Sequence, residues 1–258
     1  MGFETIRFEV ADGIATLTLD RPAVRNGLNP AMRREIRAAV ADAPAHARVL
    51  VLTGAGKSFC SGQDLDPAQI TDDLDLAATL RDEYEPMLRA IYDCPIPTIA
   101  AVNGAAAGAG ANLALACDVV IAARSAVFLQ AFARIGLIPD AGGTFWLPRQ
   151  VGFARAMGAA LFAEPVGADD AVAWGMIWQA VPDEELAATV AARAGQLARG
   201  PAVAYRLIKQ ALRESLGNGL GEQLALEAAL QGKAGRTRDF REGVAAFIEK
   251  RPARYEGR

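Results

Sequence analysis

Asp140 is the one carboxylate between Asp118 and Glu164, and its surroundings, Ile135-Gly136-Leu137-Ile138-Pro139-Asp140-Ala141-Gly142-Gly143-Thr144, are otherwise apolar or small. Two readings are open for it. Pro-Asp-x-Gly suits a tight turn, and an Asp there can cap the helix that follows. An acid in apolar surroundings can also be a chemically active group, since exclusion of water raises its pKa. Two other segments offer complementary chemistry. Residues 56–65, Gly-Lys-Ser-Phe-Cys-Ser-Gly-Gln-Asp-Leu, leave a buried strand, and residues 102–113 form a strand-to-helix turn made almost entirely of Gly and Ala. Such turns present backbone N–H groups to a developing oxyanion, and the helix start after Gly108 adds a favourable dipole. Close helix packing is the competing reading of the Gly/Ala stretch. It is not a dinucleotide fingerprint, because Gly104-x-x-x-Gly108-x-Gly110 lacks the required register, and Gly56-Lys57-Ser58 lacks the preceding frame of a phosphate-binding loop.

These segments must be held by regular elements. Residues 14–19 alternate as a strand, while 48–53, 98–102 and 119–122 are near-continuous apolar runs, as buried parallel strands are. Asn29-Pro30 opens a helix over 30–41, with Asn29 as N-cap and Pro30 at its first position. Strands alternating with helices specify an α/β sheet with crossovers. From about residue 151 helices dominate, at 151–162 in part, 168–174, 183–198, 202–215, 221–230 and 238–249. The Asp-rich stretch 71–75 is expected to be a solvated, mobile loop.

The 258 residues suffice for a large core, and 52% apolar, 22% charged residues with a net charge of −3 describe an ordinary soluble globular chain. Lys and Arg (27) nearly balance Asp and Glu (30), which argues against nucleic acid as a partner. The cysteines Cys60, Cys94 and Cys117 form no metal or disulfide pattern and are expected to be reduced and mostly buried. His46 is the single histidine. It is expected in a loop, as a bystander, and alone it builds neither a catalytic triad nor a multi-histidine metal site. The longest apolar stretch, 96–117, is too broken to span a membrane. With no leader pattern at the start, the expectation is a soluble cytoplasmic protein.

In order along the chain stand Arg21-Pro22, Asn26-Gly27-Leu28-Asn29, Phe59-Cys60-Ser61-Gly62-Gln63-Asp64-Leu65, Asn103-Gly104 with Gly108-Ala109-Gly110, and Ile138-Pro139-Asp140-Ala141-Gly142-Gly143-Thr144. This order resembles the enoyl-CoA hydratase/isomerase (crotonase) family, and the resemblance runs to residues 240–247, nearly the whole chain. It implies an α/β fold, a ββα superhelix with two roughly perpendicular sheets over 1–198. A C-terminal helical region over 199–258 would serve trimerisation, and trimers often pair into hexamers. It implies an acyl-CoA thioester as substrate, with coenzyme A part of the substrate and no separate cofactor or metal. The thioester oxygen would lie between the backbone N–H groups of Gln63 and Ala109. Both act through the main chain, so their side-chain identity says little. The resemblance places substrate and CoA contacts on Arg25, Asn26, Leu28, Ser61, Gly62, Asp64, Leu65, Gly108 and Phe132. It has Phe247 and Lys250 reaching a CoA bound mainly by a neighbouring subunit.

Departures from the family pattern bear on the reaction. Hydratases of the family use two glutamates to hold and activate water, and the corresponding positions here are Asn112 and Phe132. Hydration is therefore expected to be weak or absent. The carboxylate left is Asp140, and a lone base that removes and returns a proton does isomerase chemistry. Asn112 is expected to line the pocket as its polar partner. Residues 132–140 and 174–179 resemble the branch of the family that isomerises ring-1,2-epoxyphenylacetyl-CoA to oxepin-CoA in phenylacetate breakdown and shifts 3-enoyl-CoA to 2-enoyl-CoA. Trp174 and Trp178 are expected mainly to pack the core. A dehalogenase-like enzyme with a nucleophilic aspartate is an alternative that usually adds an active-site histidine, and His46 lies outside every motif. A catalytically silent or RNA-binding member of the fold is a further alternative. The charge balance and the presence of Asp140 stand against it.

Overall fold

A computed structural model describes residues 2–65 and 75–258. The expected loop at 71–75 lies outside the described residues except for Asp75. Among the described residues the strands are β1 (Ile6–Ala11), β2 (Ile14–Leu19), β3 (Val49–Gly54), β4 (Ser58–Cys60), β5 (Thr98–Val102), β6 (Ala105–Ala107), β7 (Val119–Ala123), β8 (Val127–Leu129), β9 (Val166–Gly167) and β10 (Gln179–Val181). They form two sheets, ordered β1-β2-β3-β5-β7-β10 and β4-β6-β8-β9.

In the first sheet β1 and β2 are an antiparallel hairpin, with Ile6 opposite Leu19, and every later pairing is parallel. All five residues of β5 are buried, as the uninterrupted Thr-Ile-Ala-Ala-Val run requires, whereas β2 buries alternate residues. Each long interior strand is followed at once by a short strand of the second sheet: β3 by β4, β5 by β6, β7 by β8. This is the repeating turn of the expected superhelix. The neighbours β4, β6 and β8 run parallel, so their C-terminal ends open on one edge. The Gln63, Ala109 and Phe132 segments leave from that edge.

The helices are α1 (Pro30–His46), α2 (Leu76–Thr79), α3 (Glu85–Tyr92), α4 (Ala109–Leu115), α5 (Gly143–Val151), α6 (Phe153–Phe162), α7 (Ala168–Ala173), α8 (Leu186–Ala198), α9 (Ala202–Glu214), α10 (Leu220–Ala234) and α11 (Arg238–Glu249). A π-helical turn, Leu80–Tyr84, joins α2 to α3 without a break. The Asn29 side chain caps α1, accepting from Met32 N at 2.8 Å. The helix outruns the expected end at residue 41, passes Pro44 and finishes at His46, with Ala47 N closing on Ala43 O at 2.8 Å. His46 thus sits in a last helical turn rather than a loop, with its Nε2 3.5 Å from Asp42.

Long-range clasps tie the later helices to the sheet. Lys209 on α9 donates to Cys94 O (2.6 Å) and Ile96 O (2.7 Å) and pairs with Asp118, which Arg213 also holds at 2.6 Å. Arg48, just before β3, donates to Gly200 O at 2.7 Å and Tyr255 O at 3.4 Å. All three cysteines are free and buried, and burial pushes the Cys60 and Cys117 thiols up to about 12. Trp174 packs partly against the core with Arg155 over its ring, but Trp178 is 67% exposed, which corrects the packing expected for it. No helix among the described residues is long and apolar enough to cross a membrane.

Candidate active site

The Gln63 amide owes its aim to an isolated parallel bridge with Leu28. Leu28 N donates to Gly62 O at 2.8 Å and Asp64 N donates to Leu28 O at 3.2 Å. Because extended residues alternate their hydrogen-bonding direction, Gln63 N–H points to the opposite side. There it faces the start of α4. Gly108 N is used by Leu129 O at 2.7 Å, whereas Ala109, at the first position of α4, begins the helix with its N–H uncommitted. Among the described residues neither the Gln63 nor the Ala109 amide has an acceptor. The turns touch because Gly62 adopts φ +90° and has no side chain. A Cβ there would stand 2.8 Å from Ala107 O and 3.3 Å from Ala109 N.

Between these turns lies a cavity of about 460 Å³, lined by Ser61, Gly62, Gln63, Leu65, Tyr84, Gly108, Ala109, Phe132, Leu137, Ile138 and Asp140, among others. Among the described residues Asp140 is the only carboxylate of the lining. Its Oδ1 is buried and has no hydrogen-bond partner among the described residues. Burial raises its pKa from 3.8 to about 6, because water that would solvate the anion is excluded and no donor replaces it. The turn reading of Asp140 also holds in part, since its carbonyl accepts Gly143 N at 2.8 Å and Ala141 takes φ +49°. Its side chain, however, caps nothing.

Asn112 does not line the cavity, and this corrects the role expected for it. It is fully buried, its Nδ2 donates to Asp140 O at 2.7 Å, and its Oδ1 accepts from Gln130 Nε2 at 2.9 Å. The amide therefore holds the backbone of the Asp140 loop. Asn26 and Leu28 are likewise fully buried, so neither presents a side chain to CoA. The Asn26 Nδ2 donates to Ala55 O, Ser58 O and Phe59 O at 2.9–3.1 Å, bracing the segment. Arg25 is exposed in a left-handed conformation, φ +52°. Asp64 pairs with Arg21 at 2.7 Å beside the cavity rather than in its wall. Phe247 (86% exposed) and Lys250, the C-cap of α11, stand apart from this cavity in the same chain.

Residues 9–258 match the family model described as Enoyl-CoA hydratase/isomerase. The chain belongs to the enoyl-CoA hydratase/isomerase family. It is 60% identical over 258 residues to a Rhodobacter capsulatus protein named probable enoyl-CoA hydratase, covering all of both chains. It is 46% identical over 260 residues to the 1,2-epoxyphenylacetyl-CoA isomerase of Escherichia coli K12, covering 99% of each. Among solved structures, the enoyl-CoA hydratase of Bacillus anthracis superposes with a TM-score of 0.91 at 31% identity, covering 99% of this chain and 100% of that one. As a member of the family, this is an acyl-CoA enzyme. Where the resemblance led one to look for acids, it carries a buried amide at 112 and a phenyl ring at 132, 7% exposed against the cavity.

Sequence reasoning missed four residues at this site. Gln130 is buried behind Asn112. Arg33, on α1, is 2% exposed and reaches the Gln63 side chain, Glu83 and Tyr84. Tyr84 lines the cavity, and its hydroxyl donates to Gln63 Oε1. Burial, together with the nearby Asp140 charge, raises the Tyr84 pKa and keeps the phenol protonated. The side-chain partners of Arg33 lie 30 to 51 positions away, so no local pattern marks them.

Proposed function

We propose that this chain is an acyl-CoA isomerase that acts through a thioester enolate, with Asp140 as its single base. The observation that carries the reading is a half-buried carboxylate that, among the described residues, stands alone in the cavity lining with an unpartnered oxygen, in a wall that also holds two amides without an acceptor there. The amides of Gln63 and Ala109 hold the thioester oxygen, and each such donor is worth about 3 kcal/mol to the developing charge. Asp140 takes a proton from the carbon chain, the enolate forms, and the same carboxyl returns the proton at another carbon, which shifts a 3-enoyl to a 2-enoyl thioester. No cofactor beyond the substrate's CoA is called for. The 46% relative named 1,2-epoxyphenylacetyl-CoA isomerase supports a ring epoxide as a second substrate type. The apolar wall of Phe132, Leu137 and Ile138 suits an aromatic or aliphatic acyl group.

The 60% relative's name favours hydration as the second reading. Against it stands the lining, which among the described residues offers no second acid to hold water. We further infer a homotrimer or a hexamer in the cytoplasm. Leu212, Leu216, Leu220, Leu224 and Phe247 expose apolar surface on or between the last three helices, as a subunit interface would require.

The test is a panel of CoA thioesters followed by absorbance and product analysis, including enzymatically generated ring-1,2-epoxyphenylacetyl-CoA. Isomerisation of a 3-enoyl-CoA or the epoxide, abolished in Asp140→Asn, is the expected result. Rapid hydration of crotonyl-CoA, or full turnover by Asp140→Asn, overturns the proposal.

A further inference from the structure

Arg33 is the only buried cationic residue among the described residues. A guanidinium withdrawn from water is costly unless its donors are met, and here each set of donors ends on a segment that frames one oxyanion amide. Nη1 donates to Leu28 O (2.7 Å), Gln63 Oε1 (2.9 Å) and, more weakly, Tyr84 Oη (3.4 Å). Nε and Nη2 donate to Glu83 Oε2 at 2.9 and 2.6 Å. The Leu28 carbonyl also receives Asp64 N, so Arg33 grips one strand of the bridge that aims Gln63 and, through the Gln63 side chain, the other. The Tyr84 hydroxyl closes on the same Oε1. Glu83 and Tyr84 are adjacent residues of the π-helical turn. Such turns are rare and collect at functional sites because the extra residue re-aims side chains.

We propose that Arg33 and Tyr84 are positioning residues for the Gln63 amide, acting through the Gln63 side chain. The side chain that seemed uninformative is then the handle by which the loop is set. An oxyanion donor works only when held before charge develops, and small displacements forfeit much of its effect. The inference rests on the enolate reading of the cavity, but not on Asp140 being the base.

The experiment compares the full chain with Tyr84→Phe, Gln63→Met and the double variant. Three quantities are read: kcat and KM on a 3-enoyl-CoA, thermal midpoint, and the absorbance of a bound 3-ketoacyl-CoA, whose enolate absorbs at longer wavelength than its keto form. Each single variant should lose about tenfold in kcat, less than outright removal of a donor costs, with KM within about threefold. The enolate band should weaken in both. The double variant should be no worse than either single, since both act on one contact. Melting within a few degrees of the parent separates this from a general loss of stability. Should Tyr84→Phe fail to fold, Gln63→Met carries the same comparison. Unchanged kcat and enolate band in the variants, or a fall in kcat matched only by a fall in melting temperature, overturns the clamp alone. A parent protein with no enolate band overturns the enolate reading as well. A parent with a band but no isomerisation overturns the reaction proposed above and leaves the clamp standing.

Discussion

Replacing Asp140 with Asn should abolish turnover and, at neutral pH, make the protein more stable. The folded carboxyl has its pKa raised from 3.8 to about 6. Below pH 3.8 it is protonated both folded and unfolded and contributes no penalty. Between 3.8 and 6 the unfolded chain releases the proton first, so folded stability falls as pH rises, and above 6 the penalty is constant. About two pH units at 1.36 kcal/mol each give about 3 kcal/mol. Because the carboxyl keeps one edge toward the open cavity, screening reduces this to about 1–2 kcal/mol. Asn112 holds the Asp140 main-chain carbonyl rather than the side chain, so the loop survives the substitution. Urea melts of both proteins at pH 4.5 and 8 should show the variant ahead by about 1–2 kcal/mol at pH 8 and by less at pH 4.5. Loss of the base should lower kcat by about 10² to 10⁴-fold. A variant less stable than the parent at pH 8, or an advantage equal at both pH values, refutes the account of a desolvated, unpartnered carboxylate.

The same pKa predicts that kcat/KM falls about tenfold per pH unit below about 6 and is level above it, read from initial rates between pH 4.5 and 8. Asn112→Ala takes one of two donors from the Asp140 carbonyl, leaving it Gly143 N, and leaves the Gln130 amide without its acceptor at Asn112. It should cost about 1–3 kcal/mol in chemical denaturation and about tenfold in kcat through a displaced base. Gly62→Ala places a Cβ 2.8 Å from Ala107 O at φ +90°. It should lose about 1–3 kcal/mol of stability, and the enolate band of a bound 3-ketoacyl-CoA should fall with it.

The long buried strands were legible because parallel strands covered on both faces read as unbroken apolar runs. Thr98–Val102 forms with the expected bounds. The second sheet was not. Ala105–Ala107 has no strand propensity of its own and is extended only because Ser58–Cys60 and Val127–Leu129 flank it. Helix α5 begins with Gly143 and contains Pro148, both of which read as breakers. The turns bearing Gln63, Ala109 and Asp140 could be picked out because their glycines, their proline and the isolated acid are local features. Which way a side chain faces is not local. Asn112 lies one helical turn into α4, and whether its amide meets the cavity or the Asp140 loop depends on Gln130 and on the close approach of Gly143. Arg33 reads as an ordinary solvated helix residue until α3 and the π-helical turn are packed beside it.

The Arg48 clasp has a bearing on how the protein comes into being. Its acceptors, Gly200 and Tyr255, lie 152 and 207 positions further along the chain. A ribosome delivers residues in order, so the N-terminal part of the sheet waits for most of translation before this guanidinium finds its carbonyls. Contacts of such sequence separation make for slow maturation, and nascent chains with exposed apolar strands are the ones that engage chaperones.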